Sequence, residues 1–279
     1  MALQPVIVAL LIFMLGACVG SFVALAAYRL PRELSIVRPR SFCTNCHATL
    51  TVWQNVPILS WLILRGRCAR CGASIGWRPF LTEIALGGAA LWLALNFAPA
   101  DAFARFILCA ALFVIALIDF DWSVIYTAIP ATGVIAGLLA AALVIPEVGW
   151  LSSVIGVIAG AGFLFLTGLA YKAIRHAEGI GLGDIYLIAM IGAFLGWPGV
   201  LFTLFAGSLE GSLGGLAMLL FDRAAPAEPL PDAIAAVIAA PSSDTPLLRR
   251  PIPFGPFLAL AAALYALFQP QLLDWYLGH

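Results

Sequence analysis

Four cysteines and three aspartates are the residues of this 279-residue chain whose spacing best suits chemistry. Cys43-Thr-Asn-Cys46 and Cys68-Ala-Arg-Cys71 form two CxxC pairs separated by 21 residues. Each pair suits a tight turn that aims two thiolates at one tetrahedral metal, as in a zinc ribbon or knuckle. Gly72 suits such a turn because it tolerates positive φ. Neighbouring arginines favour the thiolate form. With all four thiolates engaged, no coordination position stays open, so zinc here is structural. The metal would hold together a segment with too little core to fold unaided. Two disulfides or four free thiols are the other states this spacing allows, and a reducing compartment disfavours the disulfides. His47 reads as a bystander to the cluster. Cys18 and Cys109 fall in apolar runs and read as packing residues.

The acids are informative because of where they fall. Glu83, Asp119, Asp121, Asp184 and Glu210 interrupt or border apolar runs, where a carboxylate is expensive. Asp119 and Asp121 close the run Ala116-Leu-Ile-Asp-Phe-Asp121, and Asp184 opens another in Gly181-Leu-Gly-Asp184. Facing carboxylates share a proton, because both cannot easily ionise together. The ionised member can then take a proton from an attacking water while the protonated one polarises a peptide carbonyl, which is aspartic proteolysis. Asp119 and Asp121 are two apart, so on a helix only one of them faces Asp184. Glycines at 181 and 183 remove side chains beside Asp184, giving a substrate backbone room to approach. The plain alternative is that Asp184 complements the positive end of a helix. Glu210 reads as a partner within a small-residue helix interface, with Ser208, Gly211 and Ser212 nearby.

The elements that must carry these residues are membrane helices. Hydrophobic residues make up 63% of the chain and charged residues 10%, with no net charge. The mean hydropathy is +1.05. A soluble domain needs more polar surface. Apolar runs near the ~20 residues a bilayer demands recur along the chain. Lipid requires each helix to satisfy its own backbone, so an all-α polytopic membrane protein follows. Spans are expected at about 2–28, 79–97, 103–118, 128–145, 151–174, 182–197, 199–221 and 252–268, eight in all. Pro198 makes the sixth and seventh the least separate pair. The first run is too long for a signal-peptide core and reads as a span. No internal repeat is visible.

Orientation follows from arginine and lysine. The polar segment 29–78 holds Arg29, Arg32, Arg38, Arg40, Arg65, Arg67, Arg70 and Arg78 against one acid, Glu33. It is placed in the cytoplasm. Alternation then puts Asp119, Asp121 and Asp184 at that same edge, leaving only Arg105 on the far side. The segment 223–250 reads as a flexible connection rich in Ala, Pro, Ser and Asp.

Together these features resemble the bacterial prepilin peptidases, type IV leader peptidases of the GxGD class of membrane aspartyl proteases. Gly20-Ser-Phe22 and Tyr28-Arg-Leu-Pro31 resemble the family's N-terminal GSF and RLP elements. The CxxC pairs resemble its zinc-binding loop, and Trp53-Gln-Asn-Val-Pro-Ile58 the stretch between them. Arg78-Pro-Phe-Leu-Thr-Glu83, Ile118-Asp-Phe-Asp121, Gly181-Leu-Gly-Asp184 and Pro251-Ile-Pro-Phe-Gly-Pro256 follow in family order.

The resemblance implies a catalytic pair, Asp119 and Asp184, with Asp121 accessory. It implies zinc on Cys43, Cys46, Cys68 and Cys71, and membrane-inserted pilin or pseudopilin precursors as substrates. It also implies a second activity, N-methylation of the new N-terminus from S-adenosylmethionine. The implied organisation is a first transmembrane helix at 1–28, a cytoplasmic four-Cys loop domain at 29–78 and a transmembrane protease domain at 79–279, in the bacterial inner membrane. Its partners are the precursors and the lipid bilayer, with no nucleic acid. The chain departs from the family pattern after IDxD, where Trp122–Thr127 lacks the usual Pro and Asp. It departs again at Tyr186, where Lys is usual, and at Ala24, where Asn is common. An inactive relative serving as a membrane scaffold for pilus or secretion-system assembly is the alternative. A transporter would need its acids near the bilayer midplane, flanked by broken helices.

Overall fold

The computed structural model describes residues 3–176, 179–221 and 253–277. The expected connection 223–250 lies outside them, as do Pro251 and Ile252 of the last motif. Among the described residues the fold is helical, with two isolated β-bridges. The helices are α1 (Leu3–Arg29), α2 (Leu59–Ile63), α3 (Arg78–Asn96), α4 (Pro99–Trp122), α5 (Ala128–Leu143), α6 (Trp150–Arg175), α7 (Leu182–Phe221) and α8 (Gly255–Leu277). Among the described residues six helices are long and apolar enough to cross a membrane, and α5, with 16 residues, is shorter. The chain is a multi-pass membrane protein.

Each of the eight expected spans is found as helix. α7 carries both the sixth and seventh, and it is broken where they were divided. Gly196 leaves helical geometry at φ 69°, and Pro198 follows two residues later. Gly196 admits that turn because it has no Cβ, and Pro198 has no N–H to give the ladder. The third span begins earlier than expected, at Pro99, since proline is well placed at a helix start. Arg105 therefore lies inside α4, buried, with its Nε 2.6 Å from Asp101 Oδ1 and its guanidinium over the Phe97 ring. This buried arginine is thus paired with a carboxylate one helical turn away.

The chain forms two compact units, Met1–Phe106 and Ile107–His279. In the first, α1 packs on α3. Small residues let them approach: a Cβ on Gly16 would lie 2.6 Å from the Leu86 oxygen, and one on Gly20 would lie 2.7 Å from the Glu83 Cα. This is how apolar helices associate without help from water. The opposite face of α1, with Leu10, Leu11 and Leu15, is exposed and suited to lipid. In the second unit α7 is central, packed by α5, α6 and α8. Gly156 of α6 and Gly192 of α7 meet backbone to backbone; a Cβ on Gly192 would fall 2.5 Å from the Gly156 carbonyl carbon.

Candidate active site and metal centre

Asp119 sits in the last turn of α4, following Leu112, Ile115 and Ile118, which are buried at helical spacing. Its register carries it inward, to 5% exposure, while Asp121 is exposed. The helix therefore makes the choice between the two acids that their spacing demanded. Asp119 Oδ2 accepts a 3.0 Å hydrogen bond from the backbone N–H of Gly255, the first residue of α8. That residue lies in the motif before the last span, yet its role as a donor was not read from the sequence. Prolines on both sides of the glycine were the available signal. A Cβ on Gly255 would stand 2.5 Å from Asp119 Oδ2, so only glycine brings its N–H this close.

Asp184 lies in the first turn of α7, half-buried. Its carboxylate accepts from the Gly181 N–H, and its own N–H donates to the Gly181 carbonyl at 3.2 Å. That exchange is the return half of a capping box. Helix capping and a position facing Asp119 are thus roles of one side chain. The two carboxyls are near enough for Asp119 to feel the charge of Asp184. The structure brings the predicted pair together.

Ile125 completes the setting. A Cβ on Gly183 would come within 2.6 Å of the Ile125 Cβ, and one on Gly255 within 3.2 Å of its Cδ1. The turn after α4, the start of α7 and the start of α8 therefore converge on this isoleucine. The two glycines before Asp184 differ: Gly183 is closed in by Ile125, whereas a Cβ on Gly181 would meet Asp184 Oδ2 at an ordinary 3.4 Å. Glu210 does not form the expected interface pair. Ser212 Oγ donates to the Ser208 carbonyl of its own helix, and Glu210 Oε2 is buried with no partner among the described residues.

The four cysteines of the first unit gather at one point. All are free thiols, and their sulfurs lie within 4.8 Å of one another. Cys43 Sγ and Cys71 Sγ are 3.9 Å apart. Zinc–sulfur bonds of 2.3 Å in a tetrahedron put sulfurs roughly 3.8 Å apart. The donor set and spacing fit zinc, and disulfides would require about 2.0 Å. His47 is no ligand in this set.

Each pair sits on the same turn. His47 N–H donates to the Cys43 carbonyl, as Gly72 N–H donates to that of Cys68, and the bridges Phe42 to Thr49 and Arg67 to Ser74 close the two loops. His47 and Gly72 occupy equivalent positions, at φ 53° and 71°. A local structural repeat is present that the sequence reading had not registered. The turns also aim N–H groups at sulfur. The Ala73 backbone, then the Asn45 amide, draws the Cys71 thiol down to about 6. The Cys46 and Asn45 backbone amides lower Cys43.

Glu83, at the start of α3, is also buried. Its Oε2 accepts from the Ile58 N–H at 2.7 Å, and its carboxylate accepts from the Ser21 hydroxyl. Ile58 holds φ 64°, which is costly for a β-branched residue. Three stretches quoted from the sequence thus meet at one carboxylate.

Residues 14–97 match the family described as Bacterial Peptidase A24 N-terminal domain, and residues 106–216 match the Type IV leader peptidase family. Proteins named prepilin leader peptidase/N-methyltransferase are similar over nearly the whole chain. That of Bacillus subtilis (strain 168) is 37% identical, covering 96% of this chain and 97% of its own. That of Myxococcus xanthus (strain DK1622) is 33% identical, covering 95% and 91%. No solved structure matches the chain.

Proposed function

The chain belongs to the type IV leader peptidase family, and from that premise we propose that it removes the leader peptide from prepilin-like precursors, with Asp119 and Asp184 as the catalytic pair. The observation that carries this reading is that the turn after α4 and the starts of α7 and α8 converge on Ile125, which sets the helix ends bearing Asp119 and Asp184 beside one another within one unit. In the reaction, one carboxylate takes a proton from water as the oxygen attacks the peptide carbonyl. The other gives its proton to the carbonyl oxygen; the first then passes the proton it took from water to the leaving amine, and collapse of the tetrahedral intermediate returns a hydroxyl proton to the second. The Gly255 N–H fixes Asp119, and the Gly181 N–H fixes Asp184, so neither acid has to search for its position.

The four cysteines hold structural zinc, and zinc takes no part in the hydrolysis. The loop 29–78 and the catalytic pair face the cytoplasm from the inner membrane, a placement supported by the arginine excess of that loop. The relatives' double name supports a second activity, methylation of the new N-terminus with S-adenosylmethionine as methyl donor.

The test is cleavage of a pilin-like precursor by purified full-length protein. Asp119→Asn and Asp184→Asn each lower the rate by about 10³-fold, within the range of lost acid–base catalysis. Thermal melting confirms that the variants fold. Wild-type cleavage by either variant removes the pair from the mechanism.

A further inference from the structure

One acid of the second unit has no place in the reaction just described. Glu210 lies on the second half of α7, past the break at Gly196. That half runs back alongside α8. A Cβ on Gly199 would meet Tyr265, one on Gly207 would meet Leu258, and one on Gly211 would meet Phe254, so the two stretches are antiparallel. Gly207 and Gly214 both press on the first turn of α8, through Leu258 and Phe257. Glu210 is three residues from the one and four from the other, so it shares their face and is directed at the same turn. Leu209, Leu213 and Leu216 take the exposed face, suited to lipid.

The turn that Glu210 faces is the one whose Gly255 N–H holds Asp119. Phe254, Phe257 and Leu258 turn one side of this end of α8 to α7, and Gly255 turns the next side to Asp119. The two acids thus approach one helical turn from neighbouring sides. A helix with its side chains is about 10 Å across, a span that an extended peptide covers in about three residues.

We propose that Glu210 is a specificity residue that receives a lysine or arginine of the precursor's leader, about three residues from the bond that is cut. The inference rests on the reading that Asp119 and Asp184 cut the leader at the cytoplasmic membrane edge.

The surroundings of Glu210 select a cation. Its Oε2 is buried with no hydrogen-bond partner, and no charged group among the described residues acts on the carboxylate. The described lysine and arginine of this unit, Lys172 and Arg175, lie in the last turn of α6. An acid within an apolar bundle calls for a partner, and a buried carboxylate without one is costly. The residue as a whole is only half-buried, so an incoming side chain can reach it. The substrate supplies the missing group, because the cytoplasmic flank of a membrane-inserted chain is enriched in lysine and arginine. The stem of such a side chain can lie along Phe254 and Phe257 while its charge meets the carboxylate. The positive end of α8 accounts for an acid being tolerated here. That role is the same for every precursor, which separates it from recognition.

The experiment follows steady-state cleavage by full-length protein in detergent. One precursor carries lysines in about the last five residues of its leader, the reach set by the helix width. In a second they are glutamine, and in a third glutamate. Wild type has a KM about tenfold lower for the lysine form than for the glutamine form, as for a charge pair made on binding. Glu210→Gln, which keeps the shape of the side chain, loses that preference. Its KM for the lysine form rises about tenfold and that for the glutamine form stays, while kcat for both remains within about twofold. Glu210→Lys reverses the preference and favours the glutamate form; if it does not fold, as read by thermal melting, Glu210→Gln decides alone. Retention of the lysine preference by Glu210→Gln overturns the proposal. So does an equal rise in KM for the lysine and glutamine forms, which assigns Glu210 to holding α8 or to a partner within the chain. Wild type that cleaves all three forms with one KM also overturns it and leaves the peptidase reading standing. Wild type that cleaves none defeats the peptidase reading, and this inference with it.

Discussion

The metal centre of the first unit and the acid pair of the second solve one problem in opposite ways. Both gather groups that repel one another when charged. At the four-cysteine cluster each CxxC turn sets its own two sulfurs through hydrogen bonds four or five residues long, and a metal held by all four would join the turns. At the acid pair nothing local does the work. Asp119 is anchored by Gly255, 136 residues away, and Asp184 by the start of its own helix. A metal site tolerates a loose frame because coordination supplies the binding energy. An acid pair has no such glue, so helix packing must hold it. That is why glycines crowd its surroundings and why Ile125 sits among three helix ends.

Two alanine substitutions test the claim that packing holds the acids. Gly255→Ala puts a Cβ onto Asp119 Oδ2. The colliding atom is the tip of a side chain, so the fold yields and the carboxylate swings away. Cleavage falls about 100-fold, as when one fixed donor is lost, while the melting temperature barely moves. Gly183→Ala meets the Ile125 Cβ instead, an atom next to backbone. It lowers the melting temperature as well as the rate. Equal effects of the two variants on melting would break the distinction.

The difference between the regions also explains what the sequence could reveal. The cysteine cluster was legible because spacing within a turn is spacing in space. The choice of Asp119 over Asp121 was half legible. A two-residue offset says that only one faces inward, but which one depends on the register of α4 over Leu112, Ile115 and Ile118. The helical stretches at the eight expected positions followed from apolar length, six of the resulting helices being long enough to cross a membrane among the described residues, and the break at Gly196 from the nearby proline. The Gly255 donor and the Glu83 cluster were not legible, since each joins stretches whose meeting is decided by helix packing. The small-residue interface read around Glu210 is present at Gly211, which packs against Phe254 and Phe257, but Ser212 bonds to its own helix backbone and leaves Glu210 Oε2 without a partner among the described residues.

Cys71→Ser sharpens the comparison from the other side. Losing one of four thiolates lowers zinc below one per chain, read by metal analysis, and exposes the 41–76 loop to limited proteolysis. Cleavage falls less than about tenfold, because the acid pair is held within a unit that contains none of the four cysteines. A loss of cleavage as deep as that of Asp119→Asn would show that the metal loop positions the acids.

The smallest effect separates the two turns of the metal centre from each other. His47 and Gly72 hold the same left-handed backbone, which costs a residue with a Cβ roughly 1–2 kcal/mol. A Cβ on Gly72 would meet nothing within 4 Å, so Gly72→Ala carries that conformational cost and no steric one. The zinc-bound loop loses about 1 kcal/mol, read as faster metal release to a chelator. His47→Gly removes the backbone strain but gives up the tilted contact of the imidazole with Phe42, and adds chain entropy to the unfolded loop. Those contributions oppose, so its release rate stays within a few-fold of wild type. If His47→Gly instead frees the metal as quickly as Cys71→Ser does, the imidazole is a ligand, and the cluster is not held by sulfur alone.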